Sequence, residues 1–529
     1  MNHAACLALL CLGVVQSACV EPPSVQSVDQ GNEEMTRDQG PAEMDSSGAL
    51  ADMGMDADMA PVVTTHPSCD EEVAQNSSMR FQSGTGEAGD PYIVCTPNQL
   101  LLISVEERER VEATRPRDGA FYELGQDIEL DPGKSWTPIP CFRGVLDGVG
   151  HRIVNLVVEE QRQASGCYTG RPDRVGGFIH QLHGEVRDLT FEQVRIGSQL
   201  APMPPYFEQT SLPYELGGLF GTVASASVTD VKVRELEAFV AWSFGGLSHT
   251  LLDASLSRVS MEEITIHYGH GHVGGLAVRA QNKEPNGLIL QDVSIKATLK
   301  QEEELFGSVL QTMSMSIGLM TAMLHGAATL DKVTVGGRIS HTLTDARQET
   351  LLGAVAGTSF DLLPAGHPEE VIEMLRTKKL RLNALTVRDV QFEGCETPAS
   401  DDMPSLNAIT CHTSGALIGS FGQLASQRGP LSTPLEARDV LIEEVSMRSA
   451  NAGLLFGLAH ENKIVLDGVT ITNVALSQDP VTQSEEDARC LVSRMVEGNE
   501  GEVIMANEVC ITQSTCALQT PATSLNCTR

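Results

Sequence analysis

Aromatic residues make up only 4% of this 529-residue chain, with two tryptophans, and that scarcity argues against a core built from large rings. Basic residues are also few: 36 Lys and Arg stand against 70 Asp and Glu, a formal charge of −34. A chain so acidic repels phosphate backbones and anionic lipid surfaces, so nucleic acid is excluded as an expected partner while cationic partners stay open. The bland role of that acidity is solubility. No CxxC pair, HExxH or GxSxG is present, which removes the usual signatures of zinc, thioredoxin-like and serine-elbow chemistry. Pro132-Gly133-Lys134-Ser135 resembles the end of a phosphate loop, but Ile128 stands where its first glycine belongs. The sequence therefore supplies no catalytic residue and no cofactor.

A long hydrophobic run is missing too. The apolar stretch Ala4 to Val15 is too short to span a bilayer and has the length of a signal-peptide core. It ends in Gln16-Ser17-Ala18-Cys19, which resembles a bacterial lipobox and implies a signal peptide over 1–18 and lipidation at Cys19. Ordinary cleavage near Ala18, giving a secreted protein, is the alternative. The segment 19–66 follows with ten Asp or Glu between residues 20 and 66, one basic residue (Arg37) and no aromatic. Such text cannot bury enough apolar surface to offset chain entropy and reads as a disordered acidic linker. The expectation is an exported protein at the outer membrane or cell surface, touching the membrane only through an N-terminal lipid.

Beyond the leader, ten cysteines remain: Cys69, Cys95, Cys141, Cys167, Cys395, Cys411, Cys490, Cys510, Cys516 and Cys527. An even number in an exported chain reads as disulfides. Connectivity is not deducible, although pairing of neighbours in that order is the least costly arrangement.

What the chain has in abundance is Val, Leu, Ile, Ala and Gly, arranged in repeats. A small-residue step followed by aliphatics recurs as VGGFIHQL from Val175, LGGLFGTV from Leu216, FGGLSHTL from Phe244, VGGLAVRA from Val273, SIGLMTAM from Ser316, LLGAVAGT from Leu351, SGALIGSF from Ser414 and NAGLLFGL from Asn451. A second element follows each, as in VRDLTFEQVRI from Val186 and VTDVKVRELEAFV from Val228, where a strict alternation of aliphatic and polar residues predicts half-buried strands. Each unit has an apolar face it cannot cover alone. Stacking covers it, and Leu189, Val231, Val259, Val293, Val333, Leu385, Val440 and Val469 are expected to form an interior ladder. The glycines are expected to serve tight corners or positive φ. The predicted class is all-β: a right-handed parallel β-helix solenoid of eight or nine coils, with a β-sandwich as the competing fold. A short N-terminal capping helix over Gln99 to Arg110 is expected to close one end.

The strings GGLFG (Gly217 to Gly221) and AGLLFG (Ala452 to Gly457) resemble the GLUG motif of bacterial surface-protein and adhesin repeats. The segments GTGEAGDPYIVCTPNQL from Gly84, FYELGQDIEL from Phe121 and WTPIPCFRGVLDGVGHRIVNLVV from Trp136 are similar to the opening of such domains. The resemblance implies a parallel β-helix and surface display, and no reaction. It divides the remaining chain into an N-terminal cap and first coils (67–174), GLUG-like repeats (175–480) and a Cys-rich C-terminal cap (481–529).

Candidate chemistry is sparse. HYGHGH places His267, His270 and His272 close together; metal binding and a turn between coils are both open. The same string holds a Gly-His-Gly seen in polygalacturonase-like enzymes, but no Asn-Thr-Asp precedes it, and the adjacent aspartates Asp401 and Asp402 follow it. Loops near 198–214, 300–315, 361–380, 396–413 and 477–489 interrupt the coils, the third carrying a helical pattern over Pro368 to Leu380. Tyr206, Phe207, Tyr214 and Trp242 are the candidate ligand-contact aromatics. Three functions stay open: a non-catalytic adhesin or glycan- or protein-binding module, a polysaccharide lyase or hydrolase, and a structural envelope protein.

Overall fold

One coil runs from Glu215 to Val240. The short strand Glu215–Gly217 turns through Gly218-Leu219 into Phe220–Ala224, and a two-residue corner, Ser225-Ala226, leads into the long strand Ser227–Val240. Every strand pairs in parallel with its counterpart in the next coil, so the stack contains three sheets. The short sheet has eight strands, from Arg174–Gly176 to Asn451–Gly453, and the middle sheet has ten, from Ile139–Phe142 to Val492–Met495. The long sheet has 22 strands, because most coils cross it in two pieces. This is a parallel β-helix. The computed structural model describes residues 65–70, 80–112, 119–158, 174–197, 215–240, 242–269, 271–282, 287–302, 315–341, 350–360, 379–393, 413–421, 434–448, 451–459, 463–477, 492–495, 502–507 and 510–512.

The eight ladder positions, from Leu189 to Val469, are each at most 1% exposed and belong to one continuous core. The alternation around them is not the strict one expected. In Glu185–Ile196 the buried residues are Val186, Leu189, Phe191, Val194 and Ile196, so steps of three and two take turns. Each three-residue step contains a residue in the left-handed region: Asp188 (φ 48°) and Gln193 (φ 56°). The extra residue keeps the following side chain pointing inward while bending the strand, as a bulge does. The first of these positions recurs as Asp230, Arg258, Asp292, Lys332, Ala384, Asp439 and Gly468; the second as Glu235, Glu263, Asp389, Glu444 and Asn473. Lys296-Ala297 lacks the extra residue of the second step, and the register shifts there against the preceding coil.

The leading motif glycines serve the tight corner, one of the two needs expected, and not a positive φ. None of Gly217, Gly245, Gly274, Gly318, Gly353 or Gly415 has a positive φ. A Cβ added at any of them would instead fall 1.8–2.2 Å from the carbonyl oxygen three residues later. Backbone lies against backbone where the short sheet folds onto the middle sheet, and no side chain fits. The second glycine is constrained only in the early coils, where Gly177, Gly218, Gly246 and Gly275 face the next coil's carbonyl at 1.7–2.1 Å. Leu319, Ala354, Ala416 and Leu454 fill that place later and are buried in the core.

The helix Pro97–Glu112 closes the N-terminal end. Thr96 Oγ1 accepts from the Gln99 amide at 3.2 Å, and Gln99 Oε1 accepts from the Cys95 amide at 2.7 Å, a reciprocal cap ahead of a Pro-started helix. Leu100 and Ile103 are fully buried. Glu107, 1% exposed, accepts from Ala120 N, Arg143 N and Tyr122 Oη at 2.9–3.2 Å and so ties the helix to the first two coils. A disulfide joins Cys69 to Cys95 at the same end, and Cys141 is also disulfide-bonded. The stack continues past residue 480 through Val492–Met495, Glu502–Asn507 and Cys510–Thr512. The helix expected over Pro368 to Leu380 falls outside the described residues up to 378, and Leu380 opens a strand. Among the described residues no helix is long and apolar enough to cross a membrane.

Two substitutions separate these backbone effects. Gly274→Ala, whose Cβ would meet the Ala277 oxygen at 1.8 Å, should destabilise the stack by about 3 kcal/mol or more, seen as a lower urea midpoint, while Gly89→Ala, with nothing within 4 Å, leaves it unchanged. Ala384→Gly, at φ 48°, should raise stability by roughly 0.5–1 kcal/mol, since relief of left-handed strain exceeds the added chain entropy.

Candidate ligand groove

The corners between the middle and long sheets are two residues long in the early coils, and parallel pairing stacks them in columns. Glu185 is opposite Val145 and Ser227, Ser227 is opposite Ser255, and Ser255 is opposite Ile289. Counting back two residues in each coil gives the outer column Arg143, His183, Ser225, Asp253 and Gly287. The column between holds Gly144, Gly184, Ala226 and Ala254. A Cβ on Gly144 or Gly184 would lie 2.1 or 2.0 Å from a backbone oxygen of the preceding coil, so this column stays low. Ser225 (φ 47°) and Asp253 (φ 49°) turn in the left-handed region, whereas the corners Arg143-Gly144 and His183-Gly184 turn without a positive φ.

The result is an open groove of about 570 Å³ parallel to the coil axis, walled by Arg143, His183, Ser225 and Asp253 on one side and Glu185, Ser227 and Ser255 on the other. Its outer wall passes from a cation through an imidazole and a hydroxyl to a carboxylate. Burial lowers the His183 pKa, and the charge of Arg143 adds to that; a hydrogen bond with the Ala224 carbonyl works in the opposite direction. At neutral pH His183 is therefore a neutral hydrogen-bonding group. Glu185 Oε1 is 3.3 Å from the Arg187 guanidinium. The groove can offer hydroxyls, an imidazole, a guanidinium and a carboxylate to a polar ligand.

A second groove, about 540 Å³, lies across the long sheet among Pro132, Asn155, Gln193, Arg195, Glu235, Glu237, Glu263 and Thr265. Its floor is the second left-handed column, and its carboxylates face solvent. Beside it, His267 stacks on Phe239 with centroids 4.4 Å apart and planes 4° apart. The His267 Nδ1 meets Glu302 Oε1 at 2.5 Å and its Nε2 lies 3.6 Å from Glu237 Oε1.

No family model matches this chain. Halomucin of Haloquadratum walsbyi (strain DSM 16790 / HBSQ001) is 25% identical to it over 196 residues, 37% of this chain and 2% of halomucin. The chain thus corresponds to a very small part of that relative. Among solved structures, a "putative immunoglobulin A1 protease" from Bacteroides ovatus aligns over 82% of this chain and 87% of its own, with 10% identity and a TM-score of 0.29.

None of the described residues singled out from sequence lines this groove. Tyr206, Phe207 and Tyr214 lie outside the described residues, as do Cys19, Cys167, Cys395, Cys411, Cys490, Cys516 and Cys527. Cys510 opens the last described strand, which continues the long sheet. Trp242 is half-buried at the corner between the long and short sheets, a different edge of the coil from the groove. Of the three histidines, His270 is outside the described residues, His267 is held between two carboxylates, and the His272 Nδ1 accepts a hydrogen bond from the Ser316 amide at 3.1 Å. Among the described residues no three His, Cys, Asp or Glu side chains converge to hold a metal ion. Sequence reasoning missed the corner groove because its residues lie 28–42 positions apart from one coil to the next and are ordinary in type. The available signal was Gly or Ala at the second place of four successive corners: Gly144, Gly184, Ala226 and Ala254.

His272 yields a pH prediction. Burial, helped by Arg279, lowers its pKa from 6.5 to about 4. Between those values the unfolded chain binds a proton that the folded chain does not, so the contribution is complete above about pH 6.5 and is lost as pH falls through about 4. Its size is about 3 kcal/mol. Denaturation midpoints compared at pH 7.5 and 4.5 should show this loss, and His272→Asn, whose Oδ1 can take the Ser316 amide, should shrink it.

Proposed function

We propose that this protein is a non-catalytic, exported β-helix displayed at the cell surface, and that it binds a glycan lengthwise in the groove at the middle-to-long-sheet corner. The observation that carries this reading is the groove itself: polar side chains from four successive coils line an open channel of about 570 Å³. The strand spacing of about 4.8 Å repeats the donors and acceptors along the axis, which suits an extended chain of hydroxyl-bearing units better than a small compact ligand. Surface display is supported by the leader ahead of Cys19, by the acidic linker and by the resemblance of the glycine motif to GLUG repeats of surface proteins. The likeness to a short stretch of halomucin is compatible with it.

The test is a glycan array on the full chain with product analysis in parallel. Binding without turnover is the expected result. Binding accompanied by cleavage would replace this reading with a lyase or hydrolase, and absence of binding would favour a structural envelope role. Lipidation is checked separately: Cys19→Ser should move the protein from the membrane fraction to the medium and abolish fatty-acid labelling.

A further inference from the structure

We infer that the ligand of the corner groove is an acidic saccharide whose carboxylate is bound by Arg143. This rests on the glycan reading above and narrows it. Arg152, Arg187, Arg258 and Arg338 all pair with carboxylates, as expected in a chain with 70 acidic residues. Arg143 differs. It is half-buried at the head of the groove, its backbone amide is fixed by the buried Glu107, and among the described residues no carboxylate pairs with its guanidinium. A planar guanidinium held at its root and open at its fork fits a carboxylate in a bidentate pair.

The rest of the groove fits the remainder of such a sugar. His183 beside Arg143 is kept neutral by burial and by that same charge, so it hydrogen-bonds hydroxyls at neutral pH. Ser225, Ser227 and Ser255 continue the hydroxyl-lined path, and Asp253 at the far end accepts from further hydroxyls. The formal charge of −34 does not prevent binding. At physiological salt, charges more than about 8 Å away are largely screened, so the local groups decide. Of the two carboxylates in the groove, Glu185 is already next to Arg187, and Asp253 is three coils on from Arg143.

The experiment is calorimetric titration of the full chain with oligogalacturonate, with its methyl ester as the neutral control and with a sulfated oligosaccharide. The expected result is affinity for the free acid at least tenfold above that for the ester, a tenfold or greater loss in Arg143→Ala, and partial retention in Arg143→Lys. Equal affinity for acid and ester would overturn the carboxylate assignment while leaving glycan binding intact. Preference for the sulfated sugar would replace carboxylate by sulfate. Failure to bind any saccharide would overturn this inference and the glycan reading together. Because the ester comparison uses the unaltered protein, a folding defect in Arg143→Ala cannot disguise the outcome.

Discussion

The close approach of the short sheet to the middle sheet governs the cross-section of every coil. At Gly217 and its counterparts the distance from a hypothetical Cβ to the carbonyl three residues on is about half a van der Waals contact. A glycine at that single place lets the chain reverse within two residues and still send both flanking side chains inward, as Leu219 and Phe220 do. The reversal fixes where the middle strand begins, and with it the phase of the long strand. Once one coil has that shape, the next can stack only in register, and the continuous interior core follows.

The second glycine shows how narrow this constraint is. Its loss after Gly275 is no decay of the repeat, because Leu319, Ala354, Ala416 and Leu454 turn the same position into core. The early coils exchange that apolar volume for close contact between consecutive corners. Those are also the coils that carry the groove. Where Gly144 and Gly184 keep the middle column low, the side chains on either side can wall a channel. After the strand Ala277–Gln281 six residues, not two, precede the long sheet at Leu288, and the groove ends at Gly287.

The sequence announces the parts of this fold that burial dictates. Ladder residues such as Leu189 and Val333 must be aliphatic, so their spacing is visible, and the motif glycines are visible because no other residue fits. The left-handed residues are not visible. Asp188, Gln193, Arg258, Lys332 and Ala384 share a backbone conformation but no chemistry, and a run such as Val186 to Ile196 passes for simple alternation unless the doubled polar steps are counted. The groove is hidden for another reason: it is a product of register, assembled from corners whose residues become neighbours only after stacking.

Part of the acidity has the same origin. Outside glycine, Asn and Asp tolerate the left-handed region best, and Asp188, Asp230, Asp292, Asp389 and Asp439 all occupy it. Stacking then puts like charges about one strand spacing apart, a penalty that must be managed along the column. In the first column cations intervene. Arg258 pairs with Asp230 through two hydrogen bonds of 2.6 Å and lowers its pKa, and Lys332 is 3.9 Å from Asp292. Asp188, with Asp147 and Asp230 on either side, has its pKa raised, chiefly by burial and then by those two charges. In the second column no cation intervenes between Asp389 and Glu444, and the Glu444 pKa rises through its hydrogen bond with Asp389. Some of the acidic residues therefore sit where the bent strands favour Asp, although Arg258, Lys332 and Ala384 meet the same conformation. Arg143, the cation of the corner groove, belongs to neither of these columns.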